Sequence, residues 1–280
     1  MRFFRRIGMD SIAWPLRRLY CPVEKSALVL EVGSGGSPYY RANVLCDAYE
    51  ETQERHFAPL IHDRPTILAF VEQLPFKDDS FDFVIASHVL EHSDDPAKFL
   101  SELQRVAKAG YIEVPDAFME RLTHYGFHRL EITDRDGALV IRKKRNYIQD
   151  EEVVALFKNK VQPIFPKWVA KFPFHFHVRY FWEKKNGGIR YKIINPEYKS
   201  DWEFPKPVST TPAHPPFTAV IKQNILAAVR AIFSQRRRNG SLDLMSLLQC
   251  PQCRGGRFRL DGSRALCESC HAQFTVYLPQ

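Results

Sequence analysis

Residues 28–38 read Leu-Val-Leu-Glu-Val-Gly-Ser-Gly-Gly-Ser-Pro. The apolar run at 28–30 predicts a buried parallel strand, which we expect to span 28–32. It leads through the acid Glu31 into a turn that holds Gly33, Gly35 and Gly36. Glycine lets the backbone bend tightly and lets a ligand approach it closely. The stretch therefore predicts a strand, a glycine turn and a ligand site at the end of the strand.

The spacing of the glycines helps to decide which ligand the turn would bind. A dinucleotide fingerprint needs a third glycine, for packing of helix against strand, at the position that Pro38 occupies here. NAD and FAD are therefore disfavoured. An acid before the turn, Glu31, suits a ligand with a cationic amino-acid end and no pyrophosphate. S-adenosylmethionine is such a ligand.

Two further segments extend the pattern. Asp47 ends a second apolar piece, predicted as a strand over 43–46, and an ionised carboxylate there can accept both hydroxyls of a ribose. Residues 72–76 read Glu-Gln-Leu-Pro-Phe, and residues 87–92 read Ser-His-Val-Leu-Glu-His after an apolar strand predicted over 81–86. Taken together, residues 28–116 resemble the class I S-adenosylmethionine-dependent methyltransferases, most closely the type 11-like subgroup.

That resemblance implies an α/β fold with a Rossmann-like sheet and a set of cofactor-binding residues. The set is Glu31, Gly33, Ser34, Gly35, Asp47, Glu72, Gln73, Leu74, Ser87 and His88. The chain departs from the family at two places. Ser37 replaces the third glycine of the usual turn, and Phe70 stands where relatives often carry an Asp for the adenine amine. We therefore expect adenine contacts from the backbone of 71–73 and from Leu74.

Length and composition set broad limits. A chain of 280 residues suggests one large domain and a small one. Apolar residues make up 45% and charged residues 26%, which is ordinary for a globular protein. The net charge of +8 permits acidic partners but specifies none. The basic N-terminal segment lacks the apolar core of a signal peptide, and no stretch has the length to span a bilayer, so we expect a cytoplasmic protein.

The order of the segments predicts the domains. Residues 1–26 form a basic helical segment that packs over the cofactor site or, alternatively, lies on a membrane surface. The methyltransferase domain spans 27–195, a proline-rich linker 196–217, an amphipathic helix 218–240, and a zinc ribbon 241–280. Alternating strands and helices predict a parallel sheet covered on both faces.

Within the domain, helices are predicted over 50–61 and 96–108, the second with Gly110 as its stop. A third strand is expected at 66–71 and a fifth at 111–114. Two β-hairpins are expected after residue 116. The first pairs 129–133 with 138–143, and the second pairs 177–183 with 189–194 around Asn186-Gly187-Gly188.

Four cysteines near the C-terminus form two Cys-x-x-Cys pairs, Cys250 with Cys253 and Cys267 with Cys270. Two such pairs supply the four thiolates of a closed structural zinc site. A redox role is the alternative, but it would require a single pair in a β-α-β setting. The segment from 242 to 279 resembles the Trm112-like zinc ribbons, a group whose members activate and stabilise methyltransferases. This resemblance implies a built-in partner.

Residues at the ends of strands four and five are the candidates for chemistry. His88 is the leading candidate for a general base because imidazole titrates near neutral pH. Glu91 and Asp116 complete the catalytic set. The alternative is that His88 only lines the cofactor. The role of the set would be to hold the methyl donor and acceptor together and to remove a proton from a hydroxyl acceptor.

Three functions remain open on the sequence. The favoured one is methyl transfer to a small-molecule or saccharide acceptor, with S-adenosylmethionine as cofactor and structural Zn²⁺. Methyl transfer to RNA or protein draws on the positive charge but lacks a recognition module, so nucleic acid is a less favoured partner. A binding protein without turnover is the third. The sequence does not determine the oligomeric state.

Overall fold

The computed structural model describes residues 2–55, 58–123, 125–145, 151–199, 228 and 232–279. Most of the predicted linker at 196–217 and of the predicted helix at 218–240 lies outside these ranges, as does His124.

A nine-stranded sheet runs through the molecule in the order β10-β11-β12-β3-β2-β1-β4-β5-β8. The five middle strands, β3-β2-β1-β4-β5, are parallel. Strand β8 runs antiparallel to β5. This confirms the predicted α/β, Rossmann-like class. The strands are β1 Val29–Val32, β2 Val44–Asp47, β3 Thr66–Leu68, β4 Phe83–Ser87, β5 Ala109–Pro115, β8 His177–Glu183, β10 Phe258–Asp261, β11 Arg264–Cys267 and β12 Gln273–Tyr277.

Helices cover the sheet. They are α1 Arg2–Arg6, α2 Asp10–Leu16, α3 Pro96–Val106, α4 Ala117–Thr123, α5 Glu151–Leu156, α6 Phe165–Lys171, α7 Pro173–Phe176, α8 Arg236–Gly240 and α9 Leu244–Leu247. The longest, α3, begins as its sequence predicts. The Asp95 side chain accepts a hydrogen bond from the backbone N–H of Lys98, and Pro96 occupies the first turn. Short 3-10 turns lie at Arg17–Leu19, Gln53–Arg55, Val71–Gln73 and Leu90–His92.

Two predictions about the helices were wrong. The segment 50–61 contains only the 3-10 turn Gln53–Arg55 in its described part. The Arg55 side chain donates to the carbonyl oxygens of Tyr49 and Glu50, which an α-helix would have needed for its own backbone bonds. Gly110 does not stop α3 but lies inside β5, where a Cβ would come within 2.7 Å of the Trp182 ring. Close packing in the sheet explains this glycine.

One of the two expected hairpins is present. Strands β6 Leu130–Arg135 and β7 Ala138–Lys143 pair antiparallel around the predicted turn. The second hairpin is wrong, because β8 pairs with β5 in the main sheet and β9 Tyr191–Ile193 pairs in parallel with β7. In β8, the buried side chains of Val178, Tyr180 and Trp182 alternate with half-buried or exposed ones, and the backbone pairs with the open edge of β5. The buried face of β8 belongs to the main hydrophobic core.

The C-terminal residues extend the same sheet. Strands β10 and β11 form the expected hairpin, and β12 then pairs antiparallel with the edge strand β3 through Val276 and Ile67. Backbone hydrogen bonds also join Lys77 to Leu247 and Gln249 to Pro75. The cysteine-bearing module is therefore built onto the sheet and covers an edge that would otherwise expose unpaired backbone groups.

Across the described ranges, no helix combines the length and the apolar character needed to cross a membrane.

Candidate functional site

A cavity of about 170 Å³ opens at the carboxyl ends of β1, β2 and β4. Open α/β sheets bind ligands at this end of their strands. The residues that line the cavity include Gly33, Gly35, Asp47, Tyr49, Glu54, Arg55, Phe70, Glu72, His88, Val89, His92 and Ser93. Five of the ten predicted cofactor residues are among them, namely Gly33, Gly35, Asp47, Glu72 and His88.

The glycine turn after β1 has a steric reason. Gly33 and Gly35 adopt φ values of +64° and +56°, a region that L side chains rarely enter. A Cβ on Gly33 would also lie 2.6 Å from the Cβ of Val89, closer than real Cβ atoms approach. The turn can therefore pass Val89 and face the cavity only if position 33 is glycine.

Asp47 joins the turn to the following loop. Its Oδ2 accepts a hydrogen bond of 2.9 Å from the N–H of Gly35, and its Oδ1 accepts one of 2.9 Å from Arg55 Nη1. Arg55 also donates to the carbonyl oxygens of Tyr49 and Glu50, so it holds that loop against the cavity. The sequence analysis did not single out Arg55. Its lone positive charge within an acidic stretch was the available signal.

Glu31 and Ser34 lie behind the turn and are buried. Glu31 Oε2 accepts a hydrogen bond of 2.7 Å from the N–H of Tyr39. Burial raises the pKa of Glu31 to about 8, although that N–H and the charges of Arg18 and Arg64 act in the opposite direction. Neither side chain is among those that line the cavity, and Glu31 braces the segment after the turn.

Aromatic rings form one wall of the cavity. Phe70 is 54% exposed, and its ring meets that of Tyr49 edge to face with centroids 5.5 Å apart. Glu72 lies beside them and its carboxylate accepts a hydrogen bond from Ser93. Gln73 is exposed, whereas Leu74 is fully buried in the core and its N–H donates to Glu102. The rings of Phe70 and Tyr49 line the cavity, whereas the side chain of Leu74 does not.

His88 lies at the end of β4 between two carboxylates. Its Nδ1 is 3.5 Å from Glu91 Oε1 and its Nε2 is 3.5 Å from Glu113 Oε1. Burial by itself would lower the pKa of His88, but the two carboxylates more than offset burial and raise it to about 9. The backbone at His88 has φ +56°, which turns the side chain away from the strand direction. An imidazolium has no free lone pair, so the general-base role, which stays a prediction, would require His88 to lose its proton first.

Glu113 is a residue that the sequence analysis missed. It is fully buried on β5 and bonds Arg17, whose Nε and Nη2 each lie 2.8 Å from a different carboxylate oxygen. Ser87 and Tyr111 also donate to this carboxylate. Burial alone would raise the pKa of Glu113, but His88 and Arg17 hold it well below the ordinary value. A charged residue inside an apolar strand, between Ile112 and Val114, was the available signal.

Asp116 is not brought to the cavity. Its Oδ1 accepts a hydrogen bond of 2.9 Å from the N–H of Phe118, and its Oδ2 accepts one of 2.7 Å from the Thr133 hydroxyl. Both oxygens therefore hold the start of α4 against β6. Glu91, in contrast, lies next to His88 and is buried.

The four cysteines of the C-terminal module come together. Their Sγ atoms all lie within 4.8 Å of one another. Sulfurs that bind a tetrahedral zinc at ~2.3 Å are ~3.8 Å apart, so the donor set and spacing fit this ion. The two Cys-x-x-Cys turns are alike, since Arg254 and His271 both have φ near +60° and donate N–H bonds to the carbonyls of Cys250 and Cys267.

Comparisons with known proteins show what residues 30–112 are similar to. Residues 30–112 match the family model of a methyltransferase domain. An uncharacterised methyltransferase of Mycobacterium tuberculosis is 29% identical over 171 residues, which cover 52% of this chain and 65% of that protein. One from Mycobacterium leprae is 31% identical over 149 residues, covering 47% and 53%. An uncharacterised protein of Methanocaldococcus jannaschii is 48% identical over 103 residues, covering 33% and 43%. The chain thus matches from under half to about two thirds of the length of these relatives.

Two solved structures match part of the chain. One is the complex of the Haloferax volcanii Trm112 methyltransferase activator with a methyltransferase, with 21% identity, TM-score 0.34 and coverage of 48% of this chain and 75% of that chain. Another is an S-adenosylmethionine-dependent methyltransferase from Thermotoga maritima, with 23% identity, TM-score 0.29 and coverage of 41% and 56%. No function is carried over at these scores. Residues 30–112, which run from β1 into β5, are therefore similar to a methyltransferase domain.

Proposed function

We propose that this protein transfers a methyl group from S-adenosylmethionine to a small-molecule or glycan-type acceptor. The observation that carries the proposal is the cavity at the carboxyl ends of the central strands, lined by Gly33, Gly35 and Asp47. When bound, the cofactor supplies a methyl group already activated on a sulfonium. The residues of this chain then need to bind, orient and shield the reactants.

The donor subsite comprises the glycine turn, Asp47 and the aromatic wall. Asp47 is the proposed partner of the ribose hydroxyls. An ionised carboxylate has about four acceptor positions, and the N–H groups of Gly35 and Tyr49 and the Arg55 guanidinium occupy three, which leaves one on Oδ2 for a further donor. Ribose binding at Asp47 competes with Arg55 for Oδ1. The rings of Tyr49 and Phe70 offer a face for adenine in place of the Asp that relatives carry.

The acceptor subsite is proposed at His88, on the edge of the cavity. Glu91 and Glu113 hold this imidazole by contacts to both ring nitrogens, which fixes its orientation. We propose that His88 positions the acceptor. Asp116 is left out of the proposed site, because it is not among the residues that line the cavity.

The C-terminal module is proposed to bind a structural zinc ion through Cys250, Cys253, Cys267 and Cys270. Four thiolates leave no open coordination position, so the proposed ion stabilises the module and takes no part in transfer. The pairing of β12 with β3 supports the role of a built-in, Trm112-like partner. This edge strand leads directly to Phe70 and Glu72, so the module steadies one wall of the cavity.

Isothermal titration with S-adenosylmethionine and S-adenosylhomocysteine tests the donor subsite. Hydrogen bonds to a charged group contribute ~1.5–3 kcal/mol, so Asp47→Asn is expected to weaken binding about 10- to 150-fold. Asp134→Asn, at an exposed carboxylate on β6, is the matched control and should bind as the parent does. Equal affinity of the Asp47 variant and the parent would refute the proposed ribose contact.

Incubation with labelled donor and fractionated extracts tests the acceptor. Label in small molecules or glycolipids supports the proposal, whereas label in RNA or protein supports the other class of methyltransferase. Salt-sensitive RNA binding would favour RNA. Donor binding without label in any fraction would indicate a binding protein.

A further inference from the structure

A second cluster of metal-ligating side chains lies outside the cysteine module. Glu91 and His92 belong to the 3-10 turn that follows β4, and His128 lies just before β6. One potential ligand atom from each of these residues lies within 4.8 Å of the other two. The N–H of Arg129 donates a 2.7 Å hydrogen bond to the carbonyl of Glu91, which ties the two segments together.

The cluster contains buried polar atoms without a hydrogen bond. Glu91 is only 2% exposed. Neither of its carboxylate oxygens accepts a hydrogen bond among the described residues, and its contact with His88 is an ion pair of 3.5 Å between Oε1 and Nδ1. His92 Nδ1 is also buried without a hydrogen bond, and the nearest carboxylate, that of Glu54, is 3.5 Å away. Buried polar groups are almost always satisfied, because leaving one unpaired costs free energy. Such atoms in one place point to a missing ligand.

The third residue is held in the orientation typical of a metal-binding histidine. His128 Nδ1 bonds the carboxylate of Glu120, which also accepts a hydrogen bond from Lys144. Metal-bound histidines commonly bond a carboxylate through the nitrogen that does not bind the ion, and this contact fixes the ring. Nε2 of His128 is thereby the nitrogen available for coordination.

We propose that Glu91, His92 and His128 bind one divalent transition-metal ion. Two imidazoles and a carboxylate suit Zn²⁺, Co²⁺ or Fe²⁺, whereas Mg²⁺ and Ca²⁺ prefer oxygen ligands alone. Ligand atoms at ~2.1 Å from a single ion lie at most ~4.2 Å apart, so a shift of less than an ångström closes the site. The ion would place a second positive charge, besides that of His88, next to the buried Glu91 carboxylate.

This site is distinct from the four cysteines in position and chemistry. It borders the cofactor cavity, because His92 also lines that cavity. The inference goes beyond methyl transfer and does not depend on it, since it rests on ligand geometry and burial alone.

Equilibrium dialysis of the full chain against micromolar Zn²⁺, followed by a count of zinc per chain, tests the proposal. Glu91→Gln and His128→Gln are each expected to lose one zinc per chain relative to the parent, and His175→Gln, at an exposed histidine, is expected to lose none. Cys253→Ser should lose the zinc ion of the cysteine module instead. The double variant Cys253→Ser with Glu91→Gln should therefore lose two zinc ions per chain. The criterion is the difference in zinc content between the parent and the Glu91 or His128 variant. It therefore holds whether or not the cysteines bind zinc.

Dialysis against Co²⁺ supplies the spectroscopic check. In the Cys253→Ser variant, the Co²⁺ ion bound at Glu91 can be observed without an intact cysteine site. Its spectrum should lack intense thiolate-to-metal absorption, because no thiolate binds the ion there. Glu91→Gln changes the fewest atoms, and its circular dichroism spectrum should match the parent, so it decides the matter if His128→Gln fails to fold. Equal zinc content in the parent and Glu91→Gln would overturn the proposal.

Discussion

Removal of one partner from the buried ion pair between Arg17 and Glu113 should destabilise the fold strongly. Arg17 is 6% exposed and Glu113 is fully buried, and two guanidinium nitrogens each lie 2.8 Å from the carboxylate. Removal of one partner from a buried pair typically costs ~3–5 kcal/mol, because the other charge is left without compensation. We therefore expect Arg17→Met to lower the free energy of unfolding by that amount.

The matched control is an Arg–Glu pair at the surface. Arg121 also bonds its partner, Glu131, through Nε and Nη2, but its side chain is 62% exposed. Exposed pairs contribute ~0–1 kcal/mol, so Arg121→Met should cost no more than that. The two changes remove the same type of side chain, and the difference between them reports burial of the charge.

Urea unfolding at pH 7, followed by circular dichroism, measures both variants and completes a double-mutant cycle with Glu113→Gln. Glu113→Gln should cost at least as much as Arg17→Met, since His88 and Arg179 also face this carboxylate. The double variant should be ~1–3 kcal/mol more stable than the sum of the single losses predicts. If Arg17→Met costs no more than Arg121→Met, the reasoning about burial is refuted.

Three other changes are predicted. Gly33→Ala should lower the free energy of unfolding by ~2–5 kcal/mol, of which ~1–2 kcal/mol come from the left-handed backbone and ~1–3 kcal/mol from the clash with Val89. It should also abolish binding of the methyl donor in calorimetry, and normal binding would contradict the proposed role of the turn. Glu31 keeps its proton up to about pH 8 in the folded chain but loses it near pH 4.5 when unfolded, so stability should fall between these values by up to ~1.4 kcal/mol per pH unit relative to Glu31→Gln. Urea unfolding midpoints measured between pH 4.5 and pH 8 check how steeply stability falls with pH. Parallel curves of stability against pH for the parent and Glu31→Gln would refute the prediction. Cys253→Ser should release the proposed zinc and lower the Tm by at least ~5 °C, as measured by calorimetry with metal analysis; unchanged zinc content would rule out the thiolate site.

Local patterns determined much of what could be read from the sequence. The glycine turn at 33–36, the start of α3 at Pro96 and the two Cys-x-x-Cys turns each depend on residues only a few positions apart. Backbone geometry and sterics act over such distances, so the pattern by itself predicts the element. The alternation of apolar strands and helices was sufficient for the Rossmann-like class, because burial on both faces demands near-continuous apolar strands.

Predictions failed where a local preference competed with a distant partner. Residues 50–61 have a helical pattern, but Arg55 reaches back to Asp47 and the carbonyls beside it. Strand β8 was expected to turn back onto the next segment, but the open edge of β5 offered a longer and better-buried pairing.

The sequence by itself therefore determined the fold class, the end of the sheet at which the cavity opens and the grouping of the cysteines. Only the tertiary structure decided that Arg17 neutralises Glu113 across 96 positions, that β12 completes the sheet beside β3, and that Glu91 meets His128. Charges and hydrogen bonds act over a few ångströms of space, whatever the separation along the chain. Their partners are set by how the elements pack, which no short stretch of sequence encodes.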